Sequence, residues 1–383
     1  MSKLDIPSLE LAPIATTRRR FLVGGAAVAG AMLLGACGGD EASSAPSTAT
    51  GGAGQPPEKP AKIVMRAWGE PYSTTLAATG GAAFTAKTGI PVEFDLTDFA
   101  EMKVKIEQAV KAGQRPFVDL AYTTSPDAYV ASARGYAAPL DTNLVTNFAQ
   151  LTSAGKPDDN TTNWVNIYTY TVPVLYREDL VTFPAQMSIE ELWDPKYTGN
   201  IGLNLDPNIV VWPLSKAMGL DPATDDLTPL WDKVAELKPN IGAIWSSDTE
   251  LLTLINSGDV AITLGLAGNV SFIDNGAIVV PTEGAMLSAD SLYIPTGLPD
   301  NVTYWAQVLV NEMIDAKNET AFCDAIAAIP TNSGASPPAS LAGQPAFPFT
   351  DEEIAKYAVP VINSVYAENR DAWIEAMTNA LQG

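Results

Sequence analysis

The segment AKIVMRAWGEPYSTTLAATGGAAFTAKTGIPVEFDL, residues 61–96, determines the predicted fold class. Residues 62–68 have the apolar content of a buried strand, and the Gly-Glu-Pro that follows ends it. Residues 76–88 then have helical spacing, and Gly89 closes that helix. Residues 90–96 form a second predicted strand. A strand, a helix and a second strand within so short a segment predict a parallel βα unit.

The same alternation continues along the chain. Further strands are predicted at 118–122, 201–205, 241–245, 261–264, 277–281 and 290–295. Helices are predicted at 102–111, 127–134, 210–218, 230–237, 248–257 with Asp248 as its cap, 302–316, 319–328, 351–359 and 363–381. Strands alternating with helices predict the α/β class. The chain of 383 residues is longer than one hydrophobic core usually supports, so we predict two domains.

The N-terminal segment predicts an export signal over residues 1–36. Three consecutive arginines, 18–20, precede an apolar run from Phe21 to Ala36. This run of about 16 residues is shorter than the roughly 20 that a membrane-spanning helix needs. Residues 17–22 resemble the twin-arginine motif, and residues 34–37 resemble the bacterial lipobox, whose cysteine is acylated. We therefore predict lipidation at Cys37, with an uncleaved anchor helix as the alternative.

Residues 37–61 predict a tether. They are rich in Gly, Ser, Ala, Thr and Pro, and such a segment buries too little apolar surface to fold. A Gly/Ser-rich start and a Pro-rich end suit a flexible linker that stiffens towards the body. The predicted location is the periplasm or cell surface, with membrane contact only through the N-terminal lipid.

Composition excludes several functions. With 44 acidic and 22 basic residues the net charge is −22, which disfavours nucleic acid and anionic lipid as partners. The sequence has no histidine, so the commonest general base and zinc ligand are missing. We predict no cofactor and no metal. If Cys37 carries lipid, Cys323 has no disulfide partner, and its apolar helical context predicts a buried structural thiol.

Several motifs resemble one family. The segments IEELWDPKYTGNI (189–201) and VVPTEGAMLSADSLYIP (279–295) resemble the spermidine/putrescine-type solute-binding proteins of ABC importers. Further similarity lies in KTGIPV (87–92), VDLA (118–121) and NSGDVAI (256–262). In order, these segments cover most of the chain after the tether.

The resemblance implies a type II periplasmic-binding-protein fold, with two α/β lobes joined by two crossover strands and a ligand cleft between them. The crossings are expected near 168–175 and 279–284. The first lobe would comprise 62–168 and 285–328, and the second 174–279 and 330–383. The implied protein is a monomer that delivers its ligand to ABC permease subunits by closing the lobes around it.

Loops at the carboxyl ends of the predicted strands provide the first candidate ligand-binding residues. Trp68 and Tyr72 flank the loop after the first strand, where the family has an aromatic pair. Trp68 is expected to stack on an alkyl chain or attract an ammonium group, and a core position at a strand end is the alternative. Thr124 and Ser125 follow the third strand, where their hydroxyls face the cleft or cap a helix.

Two carboxylates match the family's amine-binding acids. Asp206 follows a predicted strand, and Asp290 begins another and would lie in water when the cleft is empty. Other family positions have changed, with an acid replaced by Ile209 and aromatic residues by Ser288, Leu266 and Ile329. We therefore predict a polyamine or related amine. A thiamine-like cation, an amino-acid-like solute and a metal complex stay open.

An enzyme is the competing class. Histidine is missing, no metal-ligand cluster occurs, and no G-x-S-x-G nucleophile motif is present. We therefore predict no catalytic residue and no enzymatic activity. A secreted hydrolase that uses paired carboxylates stays open, because an acidic chain offers many candidate pairs. A merely structural lipoprotein is disfavoured by the two-lobed body.

Overall fold

A computed structural model of the chain describes residues 55–382. The predicted export signal, the predicted lipid site at Cys37 and the tether residues up to 54 lie outside this range. No helix within the range is long and apolar enough to cross a bilayer. Within the same range, no group of three or more Cys, Asp or Glu side chains is arranged to hold a metal ion.

The body alternates strands and helices. The strands are β1 (Ile63–Arg66), β2 (Val92–Asp95), β3 (Leu120–Thr124), β4 (Trp164–Val172), β5 (Val174–Arg177), β6 (Ile201–Asn204), β7 (Ile241–Trp245), β8 (Ile262–Leu264), β9 (Gly276–Val279), β10 (Ala285–Tyr293) and β11 (Ala358–Pro360). The helices are α1 (Tyr72–Leu76), α2 (Ala82–Thr88), α3 (Phe99–Lys111), α4 (Ser125–Ala133), α5 (Asn208–Met218), α6 (Thr228–Leu237), α7 (Asp248–Ser257), α8 (Asp300–Met313), α9 (Ala316–Ile326), α10 (Asp351–Tyr357) and α11 (Asn363–Gln382). A π-helical segment, Ala77–Gly81, links α1 to α2.

Local sequence signals set several helix ends. Gly89 adopts φ 74°, the left-handed conformation that glycine tolerates best, and ends α2. The Asp98 side chain accepts hydrogen bonds from the amides of Ala100 and Glu101, which caps α3. The cap of α7 is Ser247 rather than the predicted Asp248, and the Ser247 side chain accepts a hydrogen bond from the Glu250 amide. These caps satisfy amides that a helix leaves without partners.

The strands form two sheets. The first has the order β11-β10-β3-β1-β2, with β4 pairing with β10. In it β1 runs parallel to β2 and β3, whereas β10 runs antiparallel to β3 and β4. The second has the order β7-β6-β8-β5-β9, with β6 parallel to β7 and β8 and with β5 antiparallel to β8 and β9.

The chain crosses between the sheets twice. Strand β4 of the first sheet is followed, after Pro173 alone, by β5 of the second. Strand β9 of the second sheet is followed, after residues 280–284, by β10 of the first. Both crossings lie where the sequence analysis expects them. The predicted α/β class and two-lobed fold are confirmed.

Each lobe has its own apolar core. Core residues of the first lobe include Ile63, Phe84, Leu120, Ile167 and Leu309. Core residues of the second lobe include Ile189, Leu203, Val211, Trp212 and Leu230. Each such side chain stabilises the fold by about 1.5–3 kcal/mol when it leaves water. Cys323 is fully buried in the first core, as predicted.

Two segments differ from the predicted lobe limits. Strand β11 pairs in parallel with residues 285–287 of β10, so part of the 330–383 segment belongs to the first sheet rather than to the second lobe. The predicted tether, 37–61, includes residues that contact α8. The indole Nε1 of Trp305 lies 3.3 Å from the backbone oxygens of Pro57 and Glu58. These residues therefore form part of the folded body.

Candidate functional site

A cavity of about 730 Å³ lies between the two sheets. Its lining from the first lobe includes Trp68, Glu70, Tyr72, Tyr168, Tyr170, Asp290 and Asp324. Its lining from the second lobe includes Asp248, Thr249, Leu266, Asn269, Ser271 and Phe272. A cavity of this size holds a small organic solute, and its two-sided lining is what a hinged receptor requires.

A smaller cavity of about 280 Å³ adjoins it. The two share Tyr170, Asp248 and Leu266 in their linings. The smaller one is also lined by Asn204, Asp206, Ile209, Trp245 and Ser288. The cleft therefore has two connected compartments, one around Asp290 and one around Asp206.

Asp290 is held by two donors of the first lobe. Trp68 Nε1 donates to Asp290 Oδ2 at 2.8 Å, and the Tyr168 hydroxyl donates to the same oxygen at 2.7 Å. The β4–β10 register places Tyr168 directly opposite Asp290. The Tyr122 hydroxyl, which donates to the Tyr168 hydroxyl at 3.1 Å, is also close enough to this carboxyl to lower its pKa. One oxygen of this carboxylate, Oδ2, is therefore fixed by two protein donors.

Burial raises the pKa of the Asp290 carboxyl to about 6, although hydrogen bonds from Tyr168 and Trp68 and the charge of Arg66 oppose the shift. Asp290 is only 5% exposed, so the expectation that it lies in water when the cleft is empty is wrong. It is also the sixth residue of β10 rather than a strand start. Asp290 is buried because β4 and the loop that carries Trp68 pack over it, and both are distant from it in the sequence.

The Trp68 ring packs against two side chains of the first lobe, Arg66 and Phe99. The Arg66 guanidinium lies 4.0 Å from the Trp68 ring centroid, and the Phe99 ring centroid lies 5.0 Å away. Arg66 is itself buried, and its Nη1 donates to the Tyr122 carbonyl at 2.9 Å. Trp68 is half-buried. Trp68 therefore combines the cleft position and the core position that the sequence left as alternatives.

Tyrosines form much of the remaining wall. The Tyr72 and Tyr168 rings stack with centroids 6.3 Å apart, and the Tyr170 ring centroid lies 6.2 Å from that of Tyr168. Sequence reasoning identified Tyr72 but missed the other two. A signal was present, since residues two apart on a strand share a face. Burial raises the pKa of Tyr72 to about 12, so its hydroxyl remains a hydrogen-bond donor.

Asp206 lies in the smaller compartment, two residues beyond β6. Its Oδ1 accepts hydrogen bonds from the Asn208 amide and the Tyr366 hydroxyl, both at 3.1 Å. Partial desolvation by the surrounding protein raises the pKa of its carboxyl, and these donors and the charge of Arg370 oppose that shift. The residue is nevertheless exposed to solvent, so water screens its charge and the shift has little energetic weight.

Thr124 and Ser125 lie outside both compartments. The Thr124 hydroxyl donates to Asp127 Oδ2 at 3.0 Å, and the buried Ser125 hydroxyl donates to Asn363 Oδ1 at 3.1 Å. The structure therefore brings Trp68, Tyr72 and Asp290 together, places Asp206 in the adjoining compartment, and binds these two hydroxyls to protein partners.

The four altered family positions are all accounted for. Ile209 and Ser288 line the smaller compartment, and Leu266 lines both. Ile329 is buried beside β4, and its backbone pairs with Thr169. Tyr168 and Tyr170 supply aromatic surface in their neighbourhood.

The charge of the cleft is one-sided. Five carboxylates line the two compartments: Glu70, Asp206, Asp248, Asp290 and Asp324. Among the residues that the structure describes, no Lys or Arg lines either compartment. The whole chain has 44 acidic and 22 basic residues, a ratio of two to one. The lining, with five acidic side chains and no Lys or Arg among the described residues, is more acidic than this ratio predicts.

Comparison with known proteins assigns the fold and the family. Residues 81–349 match the sequence model of the family described as bacterial extracellular solute-binding protein. A putative extracellular solute-binding protein from Bordetella parapertussis has a similar structure, with TM-score 0.71, 18% identity, and 84% of this chain and 99% of that chain covered. No curated protein matches the sequence.

Two further solved structures carry ligand names. The spermidine/putrescine ABC transporter substrate-binding protein PotD from Streptococcus pneumoniae is similar with TM-score 0.68 and 21% identity, with 84% of this chain and 99% of that chain covered. A GABA receptor is similar with TM-score 0.66 and 20% identity, with 84% and 97% covered. At such identities these similarities establish the fold.

Proposed function

The chain belongs to the family of bacterial extracellular solute-binding proteins, and we propose that its cleft binds a small organic amine, a polyamine or a related cation, for delivery to an ABC permease. The family is one of binding proteins, which agrees with the prediction that the chain is not an enzyme. It is also extracellular, which agrees with a location outside the cytoplasm.

The acidic cleft carries the proposal. An ammonium group that leaves water needs a carboxylate partner, because burying it unpaired is costly. Asp290 contributes a carboxylate to the lining of the larger compartment, and Asp206 contributes one to the smaller. Tyrosine rings between them suit the alkyl part of such a ligand. An anionic solute would meet five carboxylates without a facing Lys or Arg among the described lining residues.

Proteins of similar structure bind several classes of solute, including agropinic acid and glucopine, and among them are proteins named for amines. One is named for spermidine and putrescine, and another is a GABA receptor. Each of these compounds carries an ammonium group, and 4-aminobutyrate also carries a carboxylate, which the acidic lining disfavours. Amino-acid-like and thiamine-like solutes share that feature and remain within the proposal.

Delivery requires the lobes to move. The proposed ligand bridges residues of both lobes, so its binding favours the closed arrangement over the open one. We propose that the closed form docks on an ABC permease, and that lipid on Cys37 keeps the monomeric body near the membrane. The twin-arginine motif is proposed to direct export of the chain.

A thermal-shift panel tests the ligand class. The full-length protein is heated with putrescine, spermidine, 4-aminobutyrate and thiamine, and with 1,4-butanediol and succinate as uncharged and anionic controls. An amine at 100 times its dissociation constant should stabilise the protein by about 2.7 kcal/mol. Stabilisation by succinate or butanediol with no effect of any amine would contradict the proposal.

A further inference from the structure

The C-terminal helix α11 begins on the first lobe and ends on the second. The backbone N–H of Asn363 donates to Asp158 Oδ2 at 3.1 Å, and Asn363 Oδ1 accepts from Ser125 Oγ at 3.1 Å. The far end of the helix is buried in the core of the second lobe through Trp373, Met377 and Leu381. Helix α11 is therefore a third connection between the lobes, in addition to the two crossover strands.

Tyr366 lies on α11 between these two attachments. It is 6% exposed, and its ring packs near Trp373 with centroids 6.2 Å apart. Its hydroxyl donates to Asp206 Oδ1 at 3.1 Å. The same oxygen accepts from the Asn208 amide, whereas Asp206 Oδ2 accepts no hydrogen bond from any described residue. One carboxylate oxygen is thus fixed by two donors, and the other is left for a ligand.

We infer that Tyr366 is a positioning residue of the ligand site, whose hydroxyl fixes Asp206 Oδ1 so that Oδ2 is presented to the ammonium group of the solute. The inference rests on the proposed function, because it names the residue that orients one of the two carboxylates. Tyr366 itself lines neither compartment.

Asp206 needs such an orienting group. It lies between β6 and α5, is exposed, and has no ion pair within 4.0 Å among the described residues. An aspartate side chain rotates broadly about its terminal torsion, so a single amide donor leaves its second oxygen poorly defined. A second donor from a buried tyrosine restricts that rotation before the ligand arrives, which lowers the entropic cost of binding.

The other carboxylate of the cleft has the same arrangement. Asp290 Oδ2 accepts hydrogen bonds from Trp68 Nε1 and from the Tyr168 hydroxyl. In both compartments a buried tyrosine hydroxyl therefore holds one carboxylate oxygen. The two sites differ in that Tyr168 lies within the first lobe, whereas Tyr366 lies on the helix that joins the lobes.

The charged and titratable groups around Asp206 define a ligand-independent readout. Tyr366 and Arg370 face it from α11, the Asn208 amide faces it from α5, and Asp248 of α7 lines the same compartment. The Tyr366 hydrogen bond lowers the pKa of Asp206, so its loss should raise that pKa. A tyrosine with a merely structural role would change the melting temperature and leave this pKa unchanged.

The test compares Tyr366→Phe with wild type in the full-length protein. Carboxyl carbon NMR, with the Asp206 resonance assigned by its loss in Asp206→Asn, measures the pKa of Asp206 without ligand. Calorimetric titration measures affinity for putrescine. We expect a higher Asp206 pKa and about tenfold weaker putrescine binding in Tyr366→Phe. Tyr304→Phe is the control, since its hydroxyl lies on α8 away from the cleft, and both quantities should stay at wild-type values.

A double-mutant cycle establishes that Tyr366 acts through Asp206. In an Asp206→Ala background, Tyr366→Phe should have no further effect on putrescine affinity. Equal effects in both backgrounds, or an unchanged Asp206 pKa in Tyr366→Phe, would overturn the inference. If putrescine fails to bind wild type, the amine proposal is weakened, while the NMR result still decides whether Tyr366 orients Asp206.

Discussion

Trp68 and Asp290, separated by 222 residues in the sequence, are joined by a hydrogen bond of 2.8 Å between the indole Nε1 and Oδ2. The bond links the loop after the first strand to the middle of β10, which the chain reaches only after building the second lobe. The base of the larger compartment is therefore assembled within the first lobe alone, before any ligand closes the cleft.

Replacing Trp68 with Phe tests that bond. The variant keeps aromatic packing but loses the donor to Asp290, so we expect weaker amine binding and a loss of stability of about 1 kcal/mol. Titration calorimetry and thermal unfolding measure the two effects. Trp193→Phe is the matched control, because it loses an indole bond of 2.7 Å to the Lys233 carbonyl in the second lobe. Equal loss of amine affinity in both variants would contradict the assignment.

The Asp290 carboxyl should make stability depend on pH. Its pKa is about 6 in the folded protein against an ordinary value of 3.8, so the folded state binds this proton more tightly than the unfolded chain. The charged form therefore destabilises the fold above pH 6, by up to about 3 kcal/mol, and this penalty disappears as the pH falls from 6 towards 3.8. Amine affinity should fall over the same range.

The difference between wild type and Asp290→Asn isolates this contribution from other titrating groups. Chemical denaturation at pH 7.5, 6 and 4.5 should show wild type gaining stability relative to the variant as the pH falls. The test is how the stability difference between wild type and Asp290→Asn changes with pH. Its absolute size is less informative, because the variant also removes the negative charge near Arg66. A pH-independent difference would mean that Asp290 titrates normally.

Glu319 is a buried carboxyl with a structural position. Its Oε1 accepts from the Thr331 amide at 2.9 Å and its Oε2 from the Asn332 amide at 2.7 Å, and burial raises its pKa to about 7. In Glu319→Gln one of these oxygens becomes an NH₂ group that cannot accept. Because burial penalises the charged carboxylate, we expect wild type to gain unfolding free energy relative to Glu319→Gln in chemical denaturation as the pH falls from 7 towards 4.5, with amine affinity unchanged. Glu352→Gln, an exposed position on α10, is the control and should match wild type.

The predicted export and lipidation signals can be tested in cells. Cys37→Ser should leave the chain exported without a lipid anchor, and Lys-Lys in place of Arg18-Arg19 should block export. Cell fractionation with an antibody against the body measures both. Wild-type amounts of processed, membrane-bound protein in the two variants would contradict the predicted signal.

The fold class could be predicted where the hydrophobic patterns of strands and helices extended over several residues. Apolar strands ended by Gly or Pro, and helices with a clear 3.6-residue spacing, predicted the α/β alternation. The positions of both crossings came from the family resemblance, and β4 and β5, which carry the first crossing, were not among the predicted strands. Strand β11 was missed because Ala358–Pro360 is too short to carry a period, and it becomes a strand only by pairing with β10. Such pairing depends on tertiary packing, and a three-residue segment is too short to show a strand pattern in its sequence.

The site was less predictable. Trp68, Asp206 and Asp290 came from the family resemblance rather than from spacing, since nothing local relates residues so distant in sequence. The burial of Asp290 depends on the Trp68 loop and β4, which fold over it from elsewhere in the chain. Tyr366 has only the pattern of a core residue on a helix, and its bond to Asp206 is visible only in three dimensions.

The most direct test of the account is calorimetric titration of wild type and Asp290→Asn with putrescine, spermidine and 4-aminobutyrate, each followed by mass spectrometry of the recovered solute. We expect at least one amine to bind wild type and to be recovered unchanged, with affinity reduced ten- to a hundredfold in Asp290→Asn. 1,4-Butanediol should bind neither protein. Conversion of the solute, or amine binding of equal strength in wild type and Asp290→Asn, would contradict an amine receptor built around Asp290.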